Sequence, residues 1–343
     1  MASSYKNFST SDTTTTKTLL HEVIPLTGTI ASGTYGDNNI KNYSHAMFQS
    51  VYDYPYLSSS ANHIFDLTVG FSSDSALSGA SNTQVSKKIN IYNQMAQVLV
   101  GYDSTGNILK FDRDGDLTTS TDKMKECIFV NFSRLLTKDE IKKGSFELKV
   151  LTGSANTTPT NTLTISDYGA STEYRTNSPS GEYGILYTSS AAVEGTGVGL
   201  LYYQAGIAVL TASIFNGNFG PRADTSIYTS SVSAYITSGS ITGSCDGFRN
   251  RLNNIQFNNT TELNSTIYFC RVNHNEFNYS TNPTYLSSSK IVVKNESTDS
   301  PVSYLTTVGL YSSDNELMAV AKLSEPLKKD PSNELTIRVR LDY

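Results

Sequence analysis

The acidic run Asp112-Arg113-Asp114-Gly115-Asp116 offers alternating carboxylates of the kind that bind calcium. An EF-hand loop places oxygen ligands at positions 1, 3 and 5, a glycine at position 6 and a bidentate glutamate at position 12. With Gly115 at position 6, position 1 is Lys110 and position 12 is Thr121. A cation then stands where the first carboxylate belongs, and the glutamate is missing. The sequence therefore predicts a solvated hairpin turn rather than a calcium site.

The other motifs that could carry chemistry are incomplete. The run Gly195-Thr196-Gly197-Val198-Gly199 lacks the Lys-Ser/Thr ending of a P-loop, and its third glycine is out of step with the dinucleotide fingerprint. Cys270 and His274 are spaced well enough to share a zinc ion, but no Cys-x-x-Cys pair supplies the other ligands. We therefore expect no catalytic residues, no cofactor, no metal and no enzymatic activity. Glycosidase carboxylates, which need only meet in space, stay open as an alternative.

The composition favours strands and turns. Charged residues make up 17% of the 343 residues, against about 25% in ordinary globular proteins, and there are 22 tyrosines but no tryptophan. Aromatic and β-branched residues suit pleated strands, whereas Asn, Ser and Gly suit turns. The net charge of −5 and the shortness of the basic runs argue against a nucleic-acid partner.

Three further features bear on the compartment. The three cysteines, Cys127, Cys245 and Cys270, are an odd number without close pairs, so free buried thiols are predicted. The first residues show no basic stretch followed by an apolar one, so we expect the protein to be made and kept in a cytoplasm until it is assembled. The uncharged apolar run at 198–215 is diluted by polar residues and glycines, which predicts two buried strands joined at Ala205-Gly206 rather than a membrane span.

Periodicity identifies the elements that would position these residues. Residues 81–101 repeat apolar side chains on one face, begin with a capping box of Ser81 and Gln84, and end at Gly101, which predicts an amphipathic helix. In residues 335–343 every odd position is apolar, which predicts a strand with one buried face. Further strands are predicted at 64–71, 127–136, 146–151, and in a hairpin of 306–311 and 317–323.

These elements predict a mainly β protein with an antiparallel, β-sandwich-like core, one amphipathic helix and an inserted or second β-rich region. The predicted divisions are a flexible N-terminal arm at 1–18, a core β domain at 19–151 with its helix at 82–100, and an inserted or second domain at 152–300. The C-terminal strands at 301–343 are expected to complete the core begun by residues 19–151.

Two aromatic stretches are candidates for a surface that binds other subunits. The segments at 43–56 and 277–285 are dense in Tyr and Phe. Such residues pack in the core in most proteins, but Tyr is also favoured at protein interfaces. The candidate interface residues are Tyr52, Tyr54, Tyr56, Phe277, Tyr279 and Tyr285.

Several of these segments together are similar to a known group of proteins. They are Tyr52-Asp53-Tyr54-Pro55-Tyr56, the run from Glu276 to Tyr285, Val308-Gly309-Leu310-Tyr311, the strand at 317–323, and the ending Arg338-Val339-Arg340-Leu341-Asp342-Tyr343. The chain resembles virion structural proteins of T4-like tailed bacteriophages, notably those of marine cyanobacterial hosts. The ending also resembles modules that attach tail fibres to baseplates.

The resemblance implies a non-enzymatic structural component of a contractile phage tail, in the baseplate or at the attachment of tail fibres. Its expected partners are other tail and baseplate proteins and copies of itself, without nucleic acid or membrane, and its expected location is the virion. The alternatives are a neck, collar or capsid-associated virion protein, and a carbohydrate-binding receptor protein.

Overall fold

A computed structural model of the chain describes residues 5–25, 37–79, 82–117, 122–151, 162–188, 192–193, 195–215, 222–223, 226–227, 236–237, 239–279, 286–287, 290–291 and 301–343. Contacts between residues divide the chain into two compact units. The terminal unit comprises Met1–Leu19 with Glu262–Tyr343, and the central unit comprises Leu20–Thr261.

The fold is mainly β, with antiparallel sheets and few helices, as the sequence predicts. The helices are Thr83–Leu99, Arg134–Thr137 and Ile241–Arg251, and 3-10 turns lie at Thr10–Asp12, Asp37–Asn39, Ala76–Gly79 and Ala212–Ile214. The strands are β1 Thr13–Pro25, β2 Ile40–Asn42, β3 Gln49–Tyr52, β4 His63–Phe71, β5 Glu126–Phe132, β6 Glu140–Ile141, β7 Glu147–Leu151, β8 Thr162–Ser166, β9 Tyr183–Leu186, β10 Gly199–Tyr202, β11 Ile207–Thr211, β12 Arg222–Ala223, β13 Ser226–Ile227, β14 Leu252–Val272, β15 Leu286–Ser287, β16 Lys290–Ile291, β17 Ser303–Tyr311, β18 Leu317–Lys329 and β19 Leu335–Asp342.

A seven-stranded antiparallel sheet in the central unit has the order β2-β3-β4-β5-β11-β10-β9. A second sheet pairs the first part of β14 with β6 and β7, and β7 with β8. Phe132 of the first sheet lies 5.2 Å from Phe257 of the second and 5.9 Å from Phe146, which directly precedes β7, measured between ring centroids. Aromatic side chains from both sheets therefore fill one core, which gives the central unit its sandwich-like character.

The helix Thr83–Leu99 confirms the predicted amphipathic helix and covers the first sheet. Its N-cap is Asn82, whose side chain accepts a hydrogen bond from the Val85 backbone N–H, whereas Ser81, the predicted cap, lies outside the described residues. The predicted apolar face, from Val85 to Leu99, is buried except for the partly buried Ile89. At the C-terminal end Gly101 has a φ of 91°, which a glycine adopts without steric cost.

The terminal unit contains the last strand of the chain. Residues 265–272 of β14 pair antiparallel with β19, from Ser265 opposite Asp342 to Val272 opposite Leu335. The odd-numbered apolar residues of β19 are buried or half-buried and the intervening residues are exposed, which confirms the predicted alternation. Strands β17 and β18 form a separate antiparallel hairpin in the same unit.

The division of the chain differs from the predicted one at three places. The last strand pairs with residues 265–272 rather than with strands of the 19–151 segment. Strands β9, β10 and β11, from the predicted insertion, lie in the same sheet as β4 and β5, because β11 pairs directly with β5. Residues 13–18, predicted to be part of a flexible arm, are strand, and the Thr15 and Thr266 hydroxyl oxygens lie 3.3 Å apart.

Two other predictions are confirmed. The apolar run at 198–215 supplies the buried strands β10 and β11, which are joined through Ala205-Gly206. The three cysteines are free thiols as predicted, and Cys127 and Cys245 are buried, whereas Cys270 is half-buried rather than buried. Among the described residues no helix has the length and apolar character needed to cross a membrane.

The contact between the helix and β4 at Gly70 yields a first prediction. A Cβ atom on Gly70 would lie 2.8 Å from the backbone oxygen of Lys88 and 2.8 Å from the backbone nitrogen of Tyr92. Because backbone atoms cannot rotate away, we expect Gly70→Ala to lower the free energy of unfolding by about 1–3 kcal/mol, measured by urea denaturation. The matched control is Gly79→Ala, where a Cβ meets no atom within 4 Å. Equal stability of the two variants would contradict this packing.

The buried Asp167 gives the central unit a pH-sensitive element. Its carboxylate accepts hydrogen bonds from the backbone N–H groups of Gly144 at 2.7 Å and Phe146 at 3.2 Å, and from the Tyr203 hydroxyl at 3.1 Å. Burial nevertheless raises the pKa of Asp167 to about 6. In the unfolded chain the pKa of an aspartate is about 4. Between about pH 4 and pH 6 the folded chain therefore binds more protons at Asp167 than the unfolded chain does. The contribution of Asp167 to stability therefore falls as the pH rises through this window.

Replacement of Tyr203 tests this linkage. Tyr203→Phe removes a donor that stabilises the ionised Asp167. We expect the pKa of Asp167 to rise further and the variant to lose about 1–3 kcal/mol of unfolding free energy at pH 8, and less at pH 4. The control is Tyr92→Phe, because the Tyr92 hydroxyl donates to the Met124 backbone oxygen, which does not titrate. Equal losses at both pH values in Tyr203→Phe would contradict the linkage.

Candidate functional site

A cleft of about 750 Å³ opens in the terminal unit. This volume lies within the range of about 300–1,000 Å³ typical of ligand sites. Its walls come from the N-terminal residues 5–8, from residues 269–272 of β14, and from the facing hairpin of β17 and β18. Its aromatic lining residues are Tyr5, Phe8, Phe269, Phe277 and Tyr311.

The charged side chains beside this cleft are paired within the terminal unit. The Arg271 Nε lies 2.7 Å from Asp12 Oδ1, and the Lys6 Nζ lies 2.7 Å from Glu276 Oε2. Hydrogen bonds from the Ser9 hydroxyl and backbone N–H, together with the Arg271 guanidinium, hold the pKa of Asp12 below its ordinary value. An ionised, paired aspartate is unsuited to proton transfer near neutral pH. The cleft is therefore suited to binding through its aromatic and apolar walls.

Phe277, a predicted interface residue, lines this cleft and is held in place by a buried lysine. The Lys329 ammonium donates to the His274 backbone oxygen at 3.2 Å, to Asn278 Oδ1 at 2.5 Å and to the Asp330 backbone oxygen at 2.8 Å. These bonds fix the turn that carries Phe277, whose φ of 54° is in the left-handed region. The Tyr279 side chain is 47% exposed.

The other predicted interface residues lie in the central unit or outside the described residues. Tyr52 is half-buried, and its ring centroid lies 5.5 Å from His63 and 6.3 Å from Tyr56. Tyr54 and Tyr56 are 56% and 37% exposed, and their neighbour Leu57 is 86% exposed. Tyr285 falls outside the described residues. The structure therefore brings Tyr52 and Tyr56 together and presents Tyr54 to solvent.

A Ser-Asp-His group that sequence reasoning missed lies on β3 and β4. The Ser50 hydroxyl donates to Asp66 Oδ1, and the His63 Nε2 lies 2.8 Å from the same oxygen. In serine hydrolases the imidazole stands between the serine and the carboxylate, where it removes the serine proton. Here the carboxylate stands between the other two groups, so the arrangement orients side chains and does not activate Ser50. Only the strand register, with Ser50 opposite Asp66, could have revealed it.

The acidic turn differs from the solvated turn that the sequence predicts. Ligand atoms of Asp112, Asp114 and Asp116 lie within 4.8 Å of one another, and Asp112 is fully buried. Counted from Asp112, the twelfth position is Lys123, and its ammonium donates to Asp112 Oδ2. A cationic side chain thus contacts the cluster at the position where a calcium loop has its glutamate, so these residues do not fit a calcium loop.

Comparison of the chain with protein-family models, with curated proteins and with solved structures finds no match. The assignment of a site therefore depends on the residues and their geometry. The Ser50 group lacks the order of a catalytic triad, and the acidic turn lacks the ligand set of a calcium loop. The cleft and the exposed aromatic residues are surfaces with capacity to bind a partner.

Replacement of Lys329 tests whether its hydrogen bonds fix the turn that carries Phe277 at the cleft. Lys329→Met leaves the oxygens of His274, Asn278 and Asp330 without their shared donor. We expect a loss of about 1–3 kcal/mol in unfolding free energy and faster hydrogen exchange of the amides at 273–279. The matched control is the neighbouring Lys328→Met, because the Lys328 side chain is 57% exposed and makes a surface ion pair with Asp330. Unchanged exchange at 273–279 in Lys329→Met would contradict this role.

Proposed function

We propose that the chain is a structural subunit of a contractile bacteriophage tail, located in the baseplate or where tail fibres attach. It would act by assembling with copies of itself and with other virion proteins, without catalysing a reaction. The observation that carries this proposal is the exposed hairpin of the terminal unit, formed by Ser303–Tyr311 and Leu317–Lys329. The resemblance of the sequence to virion structural proteins is the reason for proposing a phage tail as the assembly.

The exposed hairpin shows large apolar side chains to solvent. The exposed fractions are 63% for Tyr304, 56% for Tyr311, 69% for Met318 and 52% for Val320. Two-stranded sheets are marginally stable in water unless a further layer covers them. Burial of a large apolar side chain contributes about 1.5–3 kcal/mol, so several such residues on one hairpin favour association with another subunit. Symmetric repetition of one such contact around a tail axis would strengthen it further.

A carbohydrate-binding receptor protein is a second candidate, and the aromatic lining of the cleft favours it. Aromatic side chains such as Tyr5 and Tyr311 offer apolar faces against which a sugar ring can pack, and the neighbouring polar groups can orient it. The two candidates differ in solution. We expect a carbohydrate-binding protein to bind host-surface polysaccharide as a monomer, which isothermal titration calorimetry measures. We expect an assembly subunit to associate with other subunits in the absence of sugar.

Replacement of hairpin residues by glutamate tests the assembly proposal. Val320→Glu places a charge on the exposed hairpin, and burial of an unpaired charge opposes association. We expect incorporation into tails to fall at least about tenfold, which corresponds to about 1.4 kcal/mol per contact, with an unchanged melting temperature. The matched control is Val98→Glu in the helix Thr83–Leu99, where the side chain is 63% exposed. Equal incorporation of the two variants would contradict a role for the hairpin.

The position in the particle is tested by a cryo-electron microscopy map of the intact tail. We expect symmetric copies of the chain in the baseplate or at the fibre attachment. Density in the neck, collar or capsid would replace the proposed location with the alternative one. A particle without the chain would overturn the proposal.

A further inference from the structure

Asp112 and Lys123 lie directly opposite each other on two antiparallel segments of the central unit. The flanking backbone bonds run from Arg113 N to the Asp122 oxygen at 3.0 Å and from Met124 N to the Phe111 oxygen at 2.9 Å. Asp112 and Lys123 are therefore a non-hydrogen-bonded pair, the arrangement in which opposed side chains come closest. The Lys123 Nζ contacts Asp112 Oδ2.

Among the described residues, this pair is less exposed to solvent than the other lysine–carboxylate pairs. The side chain of Asp112 is fully buried and that of Lys123 is 12% exposed, whereas the Lys143–Glu182 pair has 30% and 34% of its side chains exposed. A site this dry holds the amine and the carboxyl together with little water to separate them.

A second carboxyl group completes the arrangement. The Asp114 backbone N–H donates to Asp112 Oδ1 at 3.1 Å, and carboxylate oxygens of the two residues lie within 4.8 Å of each other. Burial, followed by the neighbouring Asp114 carboxyl, raises the pKa of Asp112 to about 6, while the pKa of Asp114 is lowered. Other charged groups near the pair include Asp116 and the Arg175 guanidinium, which donates to the Asp114 backbone oxygen at 3.3 Å.

We propose that Lys123 and Asp112 become joined by an intramolecular isopeptide bond, with Asp114 as the proton-transfer group. The Lys123 ammonium first gives one proton to the carboxylates, which leaves a neutral amine beside a protonated Asp112 carboxyl. The Nζ attacks the Asp112 Cγ and the carbon–nitrogen bond forms. Asp114 takes a proton from Nζ and returns one to the departing hydroxyl, and the carbon–oxygen bond breaks. One ammonium and one carboxylate thus yield one amide and one water, and Asp114 ends as it began.

The first test is the intact mass of the purified wild-type chain under denaturing conditions. We expect it to be lower than the mass of the sequence by one water molecule, with a branched tryptic peptide that joins Asp112 to Lys123 and no cleavage after Lys123. The peptides that contain Lys143 and Glu182 should be linear, which provides the internal control. A full mass after incubation at neutral pH would overturn the proposal.

Asp114-Gly115 needs a separate control, because an aspartyl-glycine step can also lose water by forming a cyclic imide. That product leaves Lys123 open to trypsin and reverts to linear peptides in mild base, so water loss confined to Asp114-Gly115 would also overturn the proposal. Lys123→Met is expected to have its full mass. Asp114→Ala is expected to cross-link at least about a hundredfold more slowly, the lower end of the usual range for loss of an acid–base group. Cross-linking at the wild-type rate in Asp114→Ala would remove Asp114 from the mechanism.

Discussion

Close packing of the helix Thr83–Leu99 on strand β4 is the contact on which the central unit depends. Gly70 allows the two backbones to approach to a distance at which no side chain fits between them. The opposite side of the first sheet meets the second sheet through Phe132 and Phe257. Strand β4 is therefore covered on both faces, and its residues from Leu67 to Phe71 are all buried. The remaining strands of this sheet pair outward from β4 and β5, with β3 and β2 on one side and β11, β10 and β9 on the other.

A chain with few charged residues uses several of them inside the fold. The Lys88 ammonium donates to the backbone oxygens of Ile236 and Gly239, the latter at 2.7 Å, and burial lowers its pKa to about 8. The Lys329 ammonium donates hydrogen bonds to the turn that carries Phe277, and the Asp167 carboxylate accepts hydrogen bonds from two separate segments. Each buried charge is thus compensated by hydrogen bonds that also fix an irregular stretch of backbone. Loops that lack regular pairing acquire defined positions in this way.

The two units differ in how completely they cover their apolar residues. The central unit buries its apolar residues between sheets and helices, whereas the terminal unit leaves the faces of β17 and β18 exposed. Exposed apolar side chains on a small sheet are the usual mark of a surface that another protein covers. This contrast is the reason that we propose the terminal unit as the surface for assembly.

Local periodicity in the sequence determined the positions of helices and strands. The register between strands decided which strands pair and which side chains face each other. The spacing of apolar residues predicted the helix, the two strands of the 198–215 run and the buried face of the last strand, because each pattern reflects the geometry of its own segment. Alternation shows which face of a strand is buried but not which strand it pairs with. Only the tertiary structure showed that β19 pairs with residues 265–272. For the same reason the sequence could not show Lys123 opposite Asp112 or Ser50 opposite Asp66, since both juxtapositions depend on the register between strands.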